Sequence, residues 1–460
     1  MKETTDSQVP GSVLDRVNRW IRTSTMLKLA VIGFLVLVLL IPNGMLQSLI
    51  SEREMTRNAA VAEVSNKWGA EQVIGGPILS VPYERVITAA NGQIERISTY
   101  LHFFPDDLQV DGEIKPEKRS RGIFVVMLYN SQLTIRGSFR KPSLASLGIA
   151  EDAGLAHWDK AFLSLGVSDM KGIRDGIKMK VNNQVLSAEP GIPSSDILMA
   201  GVTAPIKLDA DNYIFETKLN LNGSTQLSFL PFGKETRISL KSPWATPSFT
   251  GAYLPDKRVV KADGFQASWK VLEFNRNFPQ QGMGDFLKKP DSQSFSDASA
   301  FGVKLLIPID EYQKTMRSAK YGILFVILTF VSFFFIEILD RRRIHPVQYL
   351  LVGFAICLFY LLLLSISEYT SFDWAYLIGG CLVLALITFY VRYVFQNTRL
   401  TILFSAILAL LYGFFYSLLQ LEDYSLLLGS FGLLLILSVT MYLTRHVNWY
   451  QTYQAAETTA

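Results

Sequence analysis

Cysteine is nearly absent: the chain has two in 460 residues, Cys357 and Cys381, and both lie inside long apolar runs. The polar part of the chain has none, which excludes a disulfide framework and a Cys-x-x-Cys redox or zinc motif there. Histidine is equally sparse. His102, His157, His345 and His446 are far apart and H-E-x-x-H is missing, so a transition-metal site would have to be assembled from scattered residues. The G-x-S-x-G nucleophile turn, the Walker A loop and a complete G-x-G-x-x-G are missing too; "GMGDFL" has two of the three glycines. The neighbours Asp106 and Asp107 read as a solvated turn, because acid–base chemistry needs carboxylates that converge. These gaps describe a chain with no catalytic residues, no cofactor and no metal, hence not an enzyme.

What is present is apolar length. A membrane-spanning helix needs roughly 20 mostly apolar residues, and six runs qualify: Leu27–Leu46, Lys320–Leu339, Val347–Ile366, Trp374–Phe395, Leu400–Gln420 and Tyr424–Leu443. The first is too long for a signal-peptide core and no small-residue cleavage site follows it, so it reads as an uncleaved anchor. Lys and Arg near span ends set orientation. Arg16, Arg19, Arg22 and Lys28 precede or open the first span, Arg341–Arg343 follow the second, Arg392 and Arg399 flank the turn after the fourth, and Arg445 follows the sixth. The other short turns carry Glu368, Asp373, Glu422 and Asp423 with no Lys or Arg. One topology satisfies all of them: both termini cytoplasmic and the central segment outside. The net charge of +4 then reflects orientation and implies no nucleic acid.

The expected organisation is a cytoplasmic tail (1–26), a first span (27–46), an extracytoplasmic β-rich domain (51–318), a five-helix bundle (320–443) and a cytoplasmic tail (444–460). The fold class is α+β. After the first span, Met55, Ala59, Ala62 and Ala70 have loose helical spacing, with Gly69 as a stop. Thereafter "PILSVPYERV", "QLTIRGSFR", "YIFETKLNLNG", "TRISLKS" and "GFQASWKVLEF" alternate with period two between Gly, Pro, Asn and Asp turns, and Asn91-Gly92 signals a hairpin. An antiparallel sandwich of short strands fits. Residues 141–160 read as loop-like or helical, and so does the stretch from "FNRNFPQQGMG" to "SDASA", which lacks periodicity and is expected to be a long irregular loop.

Ionisable residues at mid-bilayer would mark a functional pathway, and the middles of the six runs hold none. Glu337 is four residues before Arg341, within reach at i,i+4 spacing. His345 sits in the turn before Pro346, which suits a first helical position. Glu368 lies at an outer end. All three read as interface or turn residues, which demotes transport. Trp374, Tyr376, Tyr424, Trp449 and Tyr450 fall where an interfacial aromatic belt belongs.

Four long stretches are similar to one family. "KSPWATPSFTGAYLPDKRVVKADGFQASWKVLEFNRNFPQ", "FGVKLLIPIDEYQKTMRSAKYGILFVILTFVSFFFIEIL", "HPVQYLLVGFAICLFYLLLLSISEY" and "MYLTRHVNWY" closely resemble the CreD family of Gram-negative inner-membrane proteins. "GGPILSVPY" and "FFPDDLQVDGEI" extend the likeness from the first span to Tyr450. The family often has Ser-Asp-Ala-Arg-Gly-Ile; here it is "SDMKGI", with Asp169 kept and Lys171 in place of Arg. Lys offers a point charge and no planar fork, so bidentate anion recognition is weakened there. The resemblance implies a plasma-membrane protein linked to colicin tolerance, a Cre-type regulator, envelope integrity and β-lactam responses, and it brings no catalytic residues. The expected partners are the lipid bilayer and a periplasmic envelope protein or peptidoglycan. The alternatives are a lipid or solute flux protein using the helix bundle, or a membrane enzyme acting on cell wall or lipid. The candidate functional residues are Asp169, Lys171, Glu337, His345 and Glu368.

Overall fold

The computed structural model describes residues 25–88, 94–287, 299–306, 311–339, 344–421 and 424–445. The chain divides into two compact units: Met1–Thr56 together with Asp310–Ala460, and Arg57–Ile309.

The first unit is helical. Its elements are α1 (Thr25–Trp68), α2 (Glu311–Leu339), α3 (Pro346–Ser367), α4 (Phe372–Phe395), α5 (Thr398–Gln420) and α6 (Ser425–Thr444). Each of the six carries a stretch long and apolar enough to cross a membrane. Two helices are longer than their apolar runs. The helix α1 continues unbroken through Pro42 for 44 residues, leaving the helical unit after Thr56 and ending in the second unit. The helix α2 begins nine residues before Lys320, because Tyr312, Thr315 and Ala319 form a buried stripe at helical spacing within the polar "EYQKTMRSAK". Inside the unit aromatic rings pack closely, with Phe325 and Phe359 at 4.6 and 5.0 Å from the Tyr412 ring. Tyr376, expected in an interfacial belt, is buried there and donates a hydrogen bond to the Tyr412 carbonyl at 2.9 Å. Trp374 and Tyr424 are exposed; Trp449 and Tyr450 lie outside the described residues.

The second unit is a two-sheet structure, one sheet of ten strands and one of eight among the described residues. Side chains alternate across a strand, so Leu79, Val81 and Tyr83 of one sheet meet Leu133, Ile135 and Phe215 of the other in a single buried core. Burying each such side chain contributes about 1.5–3 kcal/mol, which is how the unit dispenses with disulfides. The sheets are mostly antiparallel, as the alternation predicts. They differ from a sandwich of short strands in two ways. Gln72–Thr88 and Phe124–Arg140 run for 17 residues each, and two pairs are parallel: Gln72–Thr88 with Gln226–Phe229, and Asp107–Arg121 with Glu235–Ser242. The polar "PEKRSRG" forms the exposed arm of a hairpin that closes at Gly122, where φ is +61°. Ile94–Phe103 pairs back along Gln72–Thr88, while the expected Asn91-Gly92 turn itself lies outside the described residues. The stretch 141–160 holds two short 3-10 turns and a three-residue strand.

A second, smaller core of Ile78, Phe104, Leu198, Leu230, Phe232 and Leu287 covers the opposite face of the ten-stranded sheet. Segments 192–198 and 278–287 lie over it. It has no counterpart in the sequence pattern, because the segments that cover it lack periodicity.

Candidate functional site

In the helical unit two clusters of ionisable residues lie along α1, one at Lys28 near its start and one at Arg53. Glu337, near the end of α2, is 4% exposed. Its Oε1 accepts from Lys28 Nζ at 2.6 Å and from the Ile344 amide at 3.2 Å, and its Oε2 accepts from Tyr349 Oη at 2.9 Å. Glu337 is thus a buried carboxylate bonded to α1, to α3 and to the Ile344 amide. Arg341, its expected partner, lies outside the described residues. His345 is the N-cap of α3. Its Nδ1 accepts from the Val347 amide at 3.3 Å, and Gln348 Oε1 returns a bond from the His345 amide at 3.1 Å, with Pro346 opening the helix.

In the other cluster Glu368, its side chain only 9% exposed, lies 3.7 Å from Arg53 Nε of α1 and accepts from Tyr312 Oη of α2 at 3.2 Å. Lys28 and Arg53 are 25 residues apart, about 37 Å along a helix at 1.5 Å per residue. Between them α1 seats against glycines. A Cβ at Gly353 would overlap Leu39, which is fully buried, and one at Gly322 would lie 2.9 Å from Asn43 Oδ1. Beside this seam runs an open groove of about 1080 Å³, lined by Leu, Met, Phe and Ala side chains with Ser48, Glu52 and Cys357 among them.

In the β unit Asp169 and Lys171 close the turn from α1 into the first strand. Asp169 Oδ2 accepts from the Ala70 amide at 2.9 Å and Oδ1 from the Lys171 amide at 3.1 Å. The fully buried Gln72 bridges the main chain of Asp169 and the Asn222 carbonyl, while Lys171 Nζ reaches the Asn66 carbonyl near the end of α1 at 3.5 Å. Gly69 has φ +147°, and a Cβ there would come within 2.7 Å of the Asn222 oxygen. "SDMKGI" is therefore a clasp, with both carboxylate oxygens engaged by backbone amides.

A third cluster was not visible in the sequence. Ser80 and His102 are directly opposed on paired strands. Ser80 Oγ lies 2.9 Å from His102 Nδ1, and His102 Nε2 lies 3.1 Å from Asp196 Oδ2. Burial pushes the His102 pKa down, with Asp196 and Asp285 opposing. Ser80 and His102 are 2% and 3% exposed, and the cavity beside them, under Ile192, Ser194 and Leu198, is about 10 Å³. That is space for a single water. His157 makes a separate contact, 3.1 Å from Glu84.

The sequence model of the family described as inner membrane protein CreD matches residues 24–450. The inner membrane protein CreD of Escherichia coli strain K12 is 34% identical to the chain over 423 residues, covering 90% of this chain and 91% of that protein.

Proposed function

Because the chain belongs to the CreD family and is a multi-pass inner membrane protein, we propose that it supports cell-envelope integrity and stress response without catalysing a reaction. Its β unit lies outside the cytoplasmic membrane, both termini lie inside, and the β unit engages an envelope protein or peptidoglycan. The observation that carries this reading is α1. One unbroken helix belongs to both units, held by ion pairs and glycine seats in the first and by the Asp169 clasp in the second. Such an element suits a binding domain that must stay rooted in a membrane assembly.

The enzyme alternative has its best case in Ser80, His102 and Asp196. A nucleophile must meet its substrate at roughly 3–3.5 Å, and a one-water cavity holds no acyl or phosphoryl group. The cluster reads as a satisfied buried polar network. The flux alternative would need a polar path through the helices, and the groove beside α1 is lined mainly by apolar side chains. The test is complementation of a deletion strain under detergent or β-lactam stress. Ser80→Ala and His102→Gln should restore growth as the unsubstituted protein does, with abundance checked by immunoblot. A full-length, normally abundant but inactive Ser80→Ala protein would reject the non-enzymatic reading.

A further inference from the structure

The 1080 Å³ groove beside α1 changes character along its length. Met45 of α1 with Phe354 and Leu358 of α3 belong to its apolar wall, whereas Ser48 and Glu52 bring polar groups to one end. These two are four residues apart, one helical turn of about 5.4 Å, and so share a face of α1. The 3.7 Å pair between Arg53 and Glu368 puts Glu52 level with the end of α3, where the apolar run stops at Ile366. Leu351, which also lines the groove, lies 15 residues before Ile366, about 22 Å along the helix. The groove therefore runs from the level of the headgroups deep into the apolar layer. No Lys or Arg lines it. Glu52 is exposed, and no cation among the described residues pairs with its carboxylate, whereas Glu337 and Glu368 each hold one.

An apolar channel with a hydroxyl and a carboxylate at the interface has the polarity of a lipid. We propose that this groove binds a phospholipid whose headgroup ends in a primary ammonium. The acyl chain lies along Met45, Phe354 and Leu358, Ser48 donates to an ester or phosphate oxygen, and Glu52 accepts from the ammonium. A primary ammonium carries three N–H donors, and its bond to a carboxylate is charge-assisted, roughly twice as strong as a neutral one. A trimethylated ammonium has no N–H to give, and an anionic headgroup meets Glu52 as a like charge. A transmembrane helix is the poorer occupant. Helices pack in membranes through small residues that let backbones approach, while Met45, Phe354 and Leu358 are bulky and suit a flexible chain. Room for that chain comes in part from Gly44, where a Cβ would meet nothing within 4 Å. The inference goes beyond the envelope role. Only the assignment of the lipid to the outer leaflet rests on the proposed topology; the preference for an ammonium does not.

The test uses the full-length protein in non-ionic detergent. It is given an equimolar mixture of phosphatidylethanolamine, phosphatidylcholine and phosphatidylglycerol with identical acyl chains, and bound lipid is counted by native mass spectrometry. The ethanolamine lipid should be retained roughly tenfold over each of the others, the difference one charge-assisted hydrogen bond makes. Glu52→Gln should bring its retention down to that of the choline lipid. Gly44→Leu, which fills the groove with a better helix former, should abolish the preference with the circular dichroism spectrum unchanged; if that variant does not fold, Glu52→Gln decides alone. Equal retention of the three lipids, a preference for the glycerol lipid, a preference that survives in either folded variant, or a dimer of the chain that Gly44→Leu dissociates would each overturn the proposal. Detergent solution has no sidedness, so none of these outcomes bears on the topology.

Discussion

Glu337 shows how far one residue's role departs from its local sequence. Its i,i+4 neighbour Arg341 was visible; its partner Lys28 is 309 positions away and becomes a neighbour only when α1 packs on the bundle. A hydrogen-bonded buried carboxylate that loses its charge weakens charge-assisted bonds of roughly 1.5–3 kcal/mol each. Glu337→Gln should therefore lower thermal stability in nanodiscs by about 2 kcal/mol. Adding Lys28→Met should cost less in the Gln background than alone, since the two share one interaction. Additive losses would separate the pair. Asp106 corrects the solvated-turn reading, because it is held by two cations. Arg140 Nη2 and Lys234 Nζ each lie 2.8 Å from it. Burial alone would raise its pKa; the hydrogen bonds from Arg140 and Lys234 prevail and hold it at about 2, against an ordinary 3.8. A depressed carboxylate stabilises the fold above its unfolded pKa and loses that contribution as pH falls through the folded value. Asp106→Asn should thus flatten the decline in β-unit stability between pH about 4 and pH about 2, monitored by circular dichroism. An unchanged acid profile would remove Asp106 from the account.

At the scale of elements, helices were more legible than strands. An apolar run of 20 residues specifies a helix by length alone, and Gly69 stands where the positive φ at the end of α1 requires glycine. The extension of α2 back to Glu311 was missed because only every third or fourth residue there is buried. Strand existence followed from alternation, yet register did not. A two-residue turn at Asn91-Gly92 would pair position 102 with 81, whereas the structure pairs His102 with Ser80. A shift of one residue moves a side chain to the other face, and that shift decides whether His102 meets a serine or the main core. The Asp169 clasp was likewise hidden, since its acceptors face backbone amides brought together by the fold. It carries a prediction of its own. Asp169→Ala leaves the Ala70 and Lys171 amides without their acceptor, and should destabilise the β unit by about 1–3 kcal/mol. Hydrogen exchange should rise first at residues 69–72 and 171–173. Exchange unchanged at those amides would show that the clasp does not hold the turn.

Across the whole molecule, the division into helical and β units was readable from composition, because apolar runs and alternating runs occupy separate stretches of the chain. The candidate residues were only half readable: Glu337 and Glu368 were singled out as interface residues and Asp169 as part of a motif, but the partners that engage each inside its own unit were not. Asp196 carries no local signal, since only a partner on another segment, His102, marks it. The account centres on a β unit held outside the cytoplasm by an inner membrane bundle. Alkaline phosphatase, active only outside the cytoplasm, tests it most directly when fused within residues 70–306, after Arg343 and at the C-terminus. The account predicts activity for the first set and none for the other two; active enzyme after Arg343, or inactive enzyme throughout 70–306, would contradict it.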